Sequence, residues 1–98
     1  MSYKVIIDKK ADKFMTKLAK SQPEYHFKID NFIKEKLKKD ENPCMLPNAK
    51  HLQAHKDNRY RWRLGAYRII GKVQNDELKI IQLIEIDKRN NKTYSHTK

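Results

Sequence analysis

Arg59-Tyr60-Arg61-Trp62-Arg63-Leu64-Gly65-Ala66-Tyr67-Arg68-Ile69-Ile70 is the stretch on which the fold turns. Arginine alternates with large apolar residues, and successive side chains of a β-strand point to opposite faces. A strand over residues 59–64 puts Tyr60, Trp62 and Leu64 on one face and Arg59, Arg61 and Arg63 on the other. Gly65-Ala66 is a two-residue loop with glycine first, as a type II′ turn requires. Such a loop sets Leu64 opposite Tyr67, Trp62 opposite Ile69 and Arg63 opposite Arg68. Directly opposed residues share a face, so Arg68 joins the arginine row. Like charges side by side on a sheet repel, and a row of them calls for a polyanion.

Working outward, Leu78–Ile86 reads as the next strand, with Asn75-Asp76 suited to a two-residue type I′ turn. That turn predicts Ile69 opposite Gln82 and Val73 opposite Leu78. The core face then gathers Trp62, Leu64, Tyr67, Ile69, Val73, Leu78, Ile80, Ile84 and Ile86. The other face carries the arginines with Ile70, Ile81 and Leu83, a mixed cationic and apolar surface of the kind that marks an interaction site. Ala49–His55 reads as a weaker strand and Tyr3–Ile7 as the first one. Asp8 is a candidate N-cap for a helix whose apolar stripe is Ala11, Phe14, Met15, Leu18 and Ala19. Ser21-Gln22-Pro23 breaks that helix, and Pro23 opens a second with the stripe Tyr25, Ile29, Phe32, Ile33 and Leu37. The expected fold is α+β: two N-terminal antiparallel helices packed on one face of a small, mainly antiparallel sheet of four to five strands. The chain reads as a single domain over residues 1–98, with a polar Lys88–Lys98 ending.

The formal net charge is +11 over 98 residues, which favours nucleic acid or an acidic protein as partner over a neutral metabolite. Cys44 is the single cysteine, so no intrachain disulfide can form. The start lacks the apolar run of a signal peptide and no stretch is long enough for a membrane span, so a cytoplasmic protein is expected. There is no convergent Asp/Glu cluster for a two-metal nuclease. His51 and His55 have no Cys or acidic partner, so no metal and no cofactor are expected. Trp62 and Tyr67 read as packing residues, and Lys34, Lys36, Lys38 and Lys39 as a solvated helix face that could also touch a nucleic acid.

In order and spacing the chain resembles the RelE/ParE superfamily of bacterial toxin–antitoxin systems. The likeness lies chiefly in Arg61-Trp62-Arg63-Leu64-Gly65-Ala66-Tyr67-Arg68-Ile69-Ile70, similar to that family's basic strand, Gly turn and Tyr-Arg-aliphatic return. Ile86-Asp87-Lys88-Arg89 followed by Tyr94 is similar to the ending of the RelE branch. The resemblance implies a toxin that enters the ribosomal A site and cuts mRNA without a metal, with a cognate antitoxin, the ribosome and mRNA as partners. By position it places catalytic roles on Arg61, Arg63, Arg68, Arg89 and Tyr94. RelE proper carries lysines where this chain has Arg61 and Arg63. Arginine stays protonated, so proton abstraction falls to Tyr94 or to a histidine such as His96. RNA is expected over Arg59, Lys50, His51, Lys72, Lys88 and His96, and the antitoxin over Ile70, Ile81 and Leu83. The guanidiniums of residues 59, 61, 63 and 68 are expected to serve one cavity, with the indole packed behind them. Two other readings remain: a ParE-like, non-enzymatic inhibitor of DNA gyrase, and a basic RNA-binding module without cleavage.

Overall fold

The computed structural model describes residues 3–53, 56–75 and 78–88. Strand β1 (Lys4–Ile7) leads into helix α1 (Lys9–Ser21), and after Gln22 helix α2 (Pro23–Phe32) runs on into one π-turn over Ile33–Leu37. A short 3₁₀ turn at Pro43–Met45 precedes β2 (Ala49–Leu52), β3 (Arg59–Leu64), β4 (Tyr67–Asn75) and β5 (Lys79–Lys88). The strands form one sheet in the order β1-β5-β4-β3-β2, parallel only where β1 meets β5. This is the α+β arrangement expected from the periodicities.

Each helix is held to the sheet by its stripe. In α1, Ala11, Met15 and Leu18 are buried, Phe14 is half-buried and Ala19 is exposed. Ile29 and Phe32 of α2, then Ile33 and Leu37 of the π-turn, are buried against the same core as Trp62, Ile69 and Tyr67. Tyr25 falls outside that stripe and is exposed, its ring 5.1 Å from the Tyr67 ring. Asp8 occupies the N-cap position of α1 but its side chain caps nothing. Its carboxylate instead accepts from Gln82 Nε2 at 2.9 and 3.1 Å, which fastens the β1–α1 corner to β5.

The β3–β4 hairpin has the expected register, with Leu64 opposite Tyr67, Trp62 opposite Ile69 and Arg63 opposite Arg68. Gly65 has φ +57° and, among the described residues, no other residue type has positive φ, as a II′ turn demands. Trp62 is wholly buried behind the arginine row, and its Nε1 donates to the Pro43 carbonyl at 3.0 Å. The indole is thus satisfied as well as packed.

The β4–β5 register differs from expectation. Asn75 pairs with Lys79, so the chain turns later than an Asn75-Asp76 loop would, and Val73 lies opposite Ile81. An odd shift of partner sends every side chain to the other face. Ile81 and Leu83, expected on the arginine face, are fully buried beneath the helices, and Leu78, expected in the core, is exposed. Ile80 and Ile84 are half-buried. A bulge then restores the alternation: Gly71 pairs with Leu83 but Ile70 pairs with Glu85, so Ile84 is the extra residue. Ile86 is therefore buried, as expected.

Gly71 is what allows β5 to approach at that bulge. A Cβ there would stand 3.1 Å from Leu83 Cδ2 and 3.2 Å from both the Gln82 carbonyl oxygen and Ile81 Cγ2. The backbone oxygen has little freedom to yield. Gly71→Val is expected to destabilise the fold by about 1–3 kcal/mol through overpacking. A urea titration monitored by circular dichroism checks it, and an unshifted midpoint would show the approach to be unimportant. Among the described residues no helix is long and apolar enough to cross a membrane.

Candidate nucleic-acid interface

Among the described residues, the sheet has one face covered by helices and one left open, and register assigns each basic side chain to a face. Arg59, Arg61 and Arg63 of β3 share the open face with Lys50 of β2, opposite Arg61, and with Arg68 and Lys72 of β4. Ile70 stands between these last two, half-buried, and register adds Ile80 of β5, opposite Gln74, Leu52 of β2, opposite Arg59, and Ile6 of β1, opposite Gln82, to the apolar residues of this face. His51 is not part of it. It lies opposite Tyr60 on the helix-bearing side, its ring 4.9 Å from the tyrosine and its Nε2 3.0 Å from Asn58 Oδ1. Lys88, opposite Tyr67, is also on the helix-bearing side. Two of the six residues expected to line the RNA path are therefore on the wrong face, and the antitoxin-facing set loses Ile81 and Leu83 to the core. Arg89, Tyr94 and His96 lie outside the described residues.

The four guanidiniums share a face, and two of them share a recess. Arg61 and Arg63, with Pro47, Asn48, Ala49 and Gly65, line a shallow recess of about 320 Å³. Arg59 and Arg68 are not among its walls, for two physical reasons. Alternate residues of a strand stand roughly 7 Å apart, so a row of arginines spreads along it. Each outlying arginine is also drawn to a carboxylate. Arg59 Nε donates to Asp57 at 2.7 Å, and Lys72 Nζ reaches the same carboxylate at 3.6 Å. Arg68 donates through Nε and Nη2 to the two oxygens of Asp87 at 3.0 and 3.1 Å. Arg63 is exposed, and none of the ion pairs among the described residues includes it.

These carboxylates explain how the sheet tolerates its cations. Asp57 sits between Arg59 and Lys72, which oppose each other across β3 and β4. Its carboxyl is held below the usual range, first by the hydrogen bond from Arg59 and then by the charges of Arg59 and Lys72. Arg63 and Arg68 also oppose each other, and Arg68 leans the other way, toward Asp87 on β5. The recess is held from below by Asn48, whose Nδ2 donates to the Arg63 carbonyl at 2.9 Å while the Arg63 N–H donates to the Asn48 carbonyl at 3.1 Å. At the other end Asn58 extends the ladder to β4, donating from Nδ2 to the Val73 carbonyl at 3.1 Å.

Sequence reasoning missed these polar supports. Asp57 stands two residues from Arg59 and was legible as a local pair. Asp87 was not, because its partner depends on a register that carries a bulge.

Among the described residues, the groups of the helix side with shifted titration are phenols and a thiol rather than carboxylates. Burial pushes the Tyr3, Tyr60 and Tyr67 phenols up from their ordinary values, and burial likewise raises the Cys44 thiol. Cys44 is half-buried among core side chains, as a structural thiol would be.

A small α+β domain with a helix-covered sheet face and an open, arginine-lined face is the class that this geometry defines. No family model and no curated protein matches the sequence. Among solved structures, the chain is similar to one in the crystal structure of the toxin–antitoxin complex RelBE2 from Mycobacterium tuberculosis. The TM-score is 0.73 at 22% identity, over 91% of this chain and 100% of that chain. The fold is RelE-like.

Proposed function

We propose that this protein is the toxin of a toxin–antitoxin pair and a ribosome-dependent, metal-independent endoribonuclease that cuts mRNA in the A site. The observation that carries this reading is the arginine row on the open face of the β3–β4 hairpin, with Trp62 packed behind it. The RelE-like fold and the net charge of +11 support it.

The chemistry asks for cations in such a row. A ribose 2′-oxygen attacks the neighbouring phosphorus, the P–O5′ bond breaks, and a 2′,3′-cyclic phosphate and a 5′-hydroxyl remain. Negative charge gathers on the nonbridging oxygens in the transition state, where preorganised guanidiniums stabilise it. Arg61 and Arg68 are the proposed clamp, with Arg63 beside them. One proton must leave the 2′-OH and one must reach the 5′-oxygen. Arginine cannot accept the first, so we assign that role to Tyr94, whose phenol neighbouring arginines would shift toward phenolate. Arg89 would stabilise the leaving oxygen. Arg59, Lys50 and Lys72 would hold the flanking RNA. The antitoxin would lay an acidic or amphipathic segment over the same face, across Ile70 and the arginines. The protein would act in the cytoplasm, as one domain.

Controlled expression tests the reading. Amino-acid incorporation is expected to fall within minutes, and primer extension is expected to map new mRNA 5′-hydroxyl ends inside codons held in the A site. Growth arrest with inhibited gyrase supercoiling and intact mRNA would replace this reading with the ParE-like one.

A further inference from the structure

Arg68 stands on β4 between Arg63 on β3 and Asp87 on β5. The first repels it and the second attracts it, along one line across the sheet. Two N–H···O bonds, from Nε to Oδ1 at 3.0 Å and from Nη2 to Oδ2 at 3.1 Å, leave the guanidinium plane a single orientation. The two side chains are 39% and 30% exposed, and a pair so exposed to solvent adds little stability. Direction is what such a pair supplies. It engages the Nε–Nη2 edge, whereas the fork between Nη1 and Nη2 matches two phosphate oxygens. A carboxylate here also has a cost for any polyanion-binding surface, because it repels the ligand that the arginines attract.

We propose that Asp87 is a positioning residue: it aims the Nη1–Nη2 edge of Arg68 at the scissile phosphate and thereby speeds the reaction while slightly opposing RNA binding. The proposal rests on the endoribonuclease reading above. It separates rate from affinity, which a merely structural role would not.

The test is single-turnover cleavage of mRNA on ribosomes with a defined A-site codon, comparing the wild type with Asp87→Ala and Asp87→Glu. Asp87→Ala is expected to lower the maximal rate by about 100-fold, the scale of a misplaced catalytic group. The half-saturating protein concentration should stay unchanged or fall. Asp87→Glu keeps a carboxylate in reach and is expected to restore most of the rate. An Asp87→Ala variant that cleaves as fast as the wild type, or faster, overturns the proposal, as does a loss confined to affinity. Side-chain ¹⁵Nε NMR on the same proteins is independent of cleavage. The Arg68 Nε–H signal should be slow to exchange in the wild type and in Asp87→Glu, and lost in Asp87→Ala. A wild type that leaves mRNA intact would refute the nuclease reading. In that case the NMR comparison alone decides whether Asp87 orients Arg68, and a signal equally mobile in all three proteins overturns it.

Discussion

Arg61→Ala is expected to slow mRNA cleavage on A-site-programmed ribosomes by about 10²–10³-fold, the loss typical of removing one preorganised donor from a developing oxyanion. Arg61 is half-buried, lies on the open face and helps to wall the recess that it shares with Arg63. Its removal deletes a cation from a row of like charges and takes no atom from the core, so thermal stability should be nearly unchanged. Arg61→Lys should fall between the two proteins. It keeps the charge and loses the planar fork. It should also add a pH dependence, because a lysine among cations is held below its ordinary pKa and sheds charge as pH rises, whereas the arginine keeps its charge. Single-turnover rates between pH 6 and 9, measured beside melting curves, would check both statements. An Arg61→Ala protein with wild-type rates would remove this strand from the chemistry.

Trp62→Ala should have the largest effect on stability. The indole is fully buried and shares the core with Ile69, Leu37 and the helices, so truncation costs about 3–5 kcal/mol in cavity and lost contact. Its Nε1 also satisfies the Pro43 carbonyl, and orphaning that oxygen adds about 1–3 kcal/mol if no water reaches it. Domains of this size hold only about 5–15 kcal/mol in all. The variant should therefore melt more than about 15 °C lower, or fail to fold at ambient temperature. Far-ultraviolet circular dichroism gives the readout, since Trp62 is the sole tryptophan and its fluorescence is lost with it. Trp62→Phe separates the two terms, as it keeps most of the ring and loses the hydrogen bond. A melting point for Trp62→Ala within a few degrees of wild type would mean that the wall behind the arginines is not what holds them.

The two predictions divide the hairpin by face. One side chain supplies charge to the open surface and the next supplies the packing that keeps the strand in place. Alternation at period two makes a single six-residue strand do both.

Local chemistry by itself determined the two helices, the β3–β4 hairpin and the face on which its arginines stand. Each rests on short-range rules: a 3.6-residue stripe from Ala11 to Leu18, a proline at the first turn of α2, and a glycine that alone takes the positive φ of its turn. Strand β5 was beyond such rules. Ile80, Ile81, Leu83, Ile84 and Ile86 are apolar at both parities, so either face could be the buried one. The longer turn after Asn75, the bare backbone of Gly71 and the extra residue at Ile84 selected Ile81, Leu83 and Ile86 for the core. The same choice set Asp87 opposite Arg68, while the pairing of β2 with β3 put His51 beside Tyr60 on the helix-bearing side. Charge pattern is a property of neighbours along the chain. Which carboxylate meets which arginine is a property of strand pairing, and pairing is settled by packing across the whole sheet.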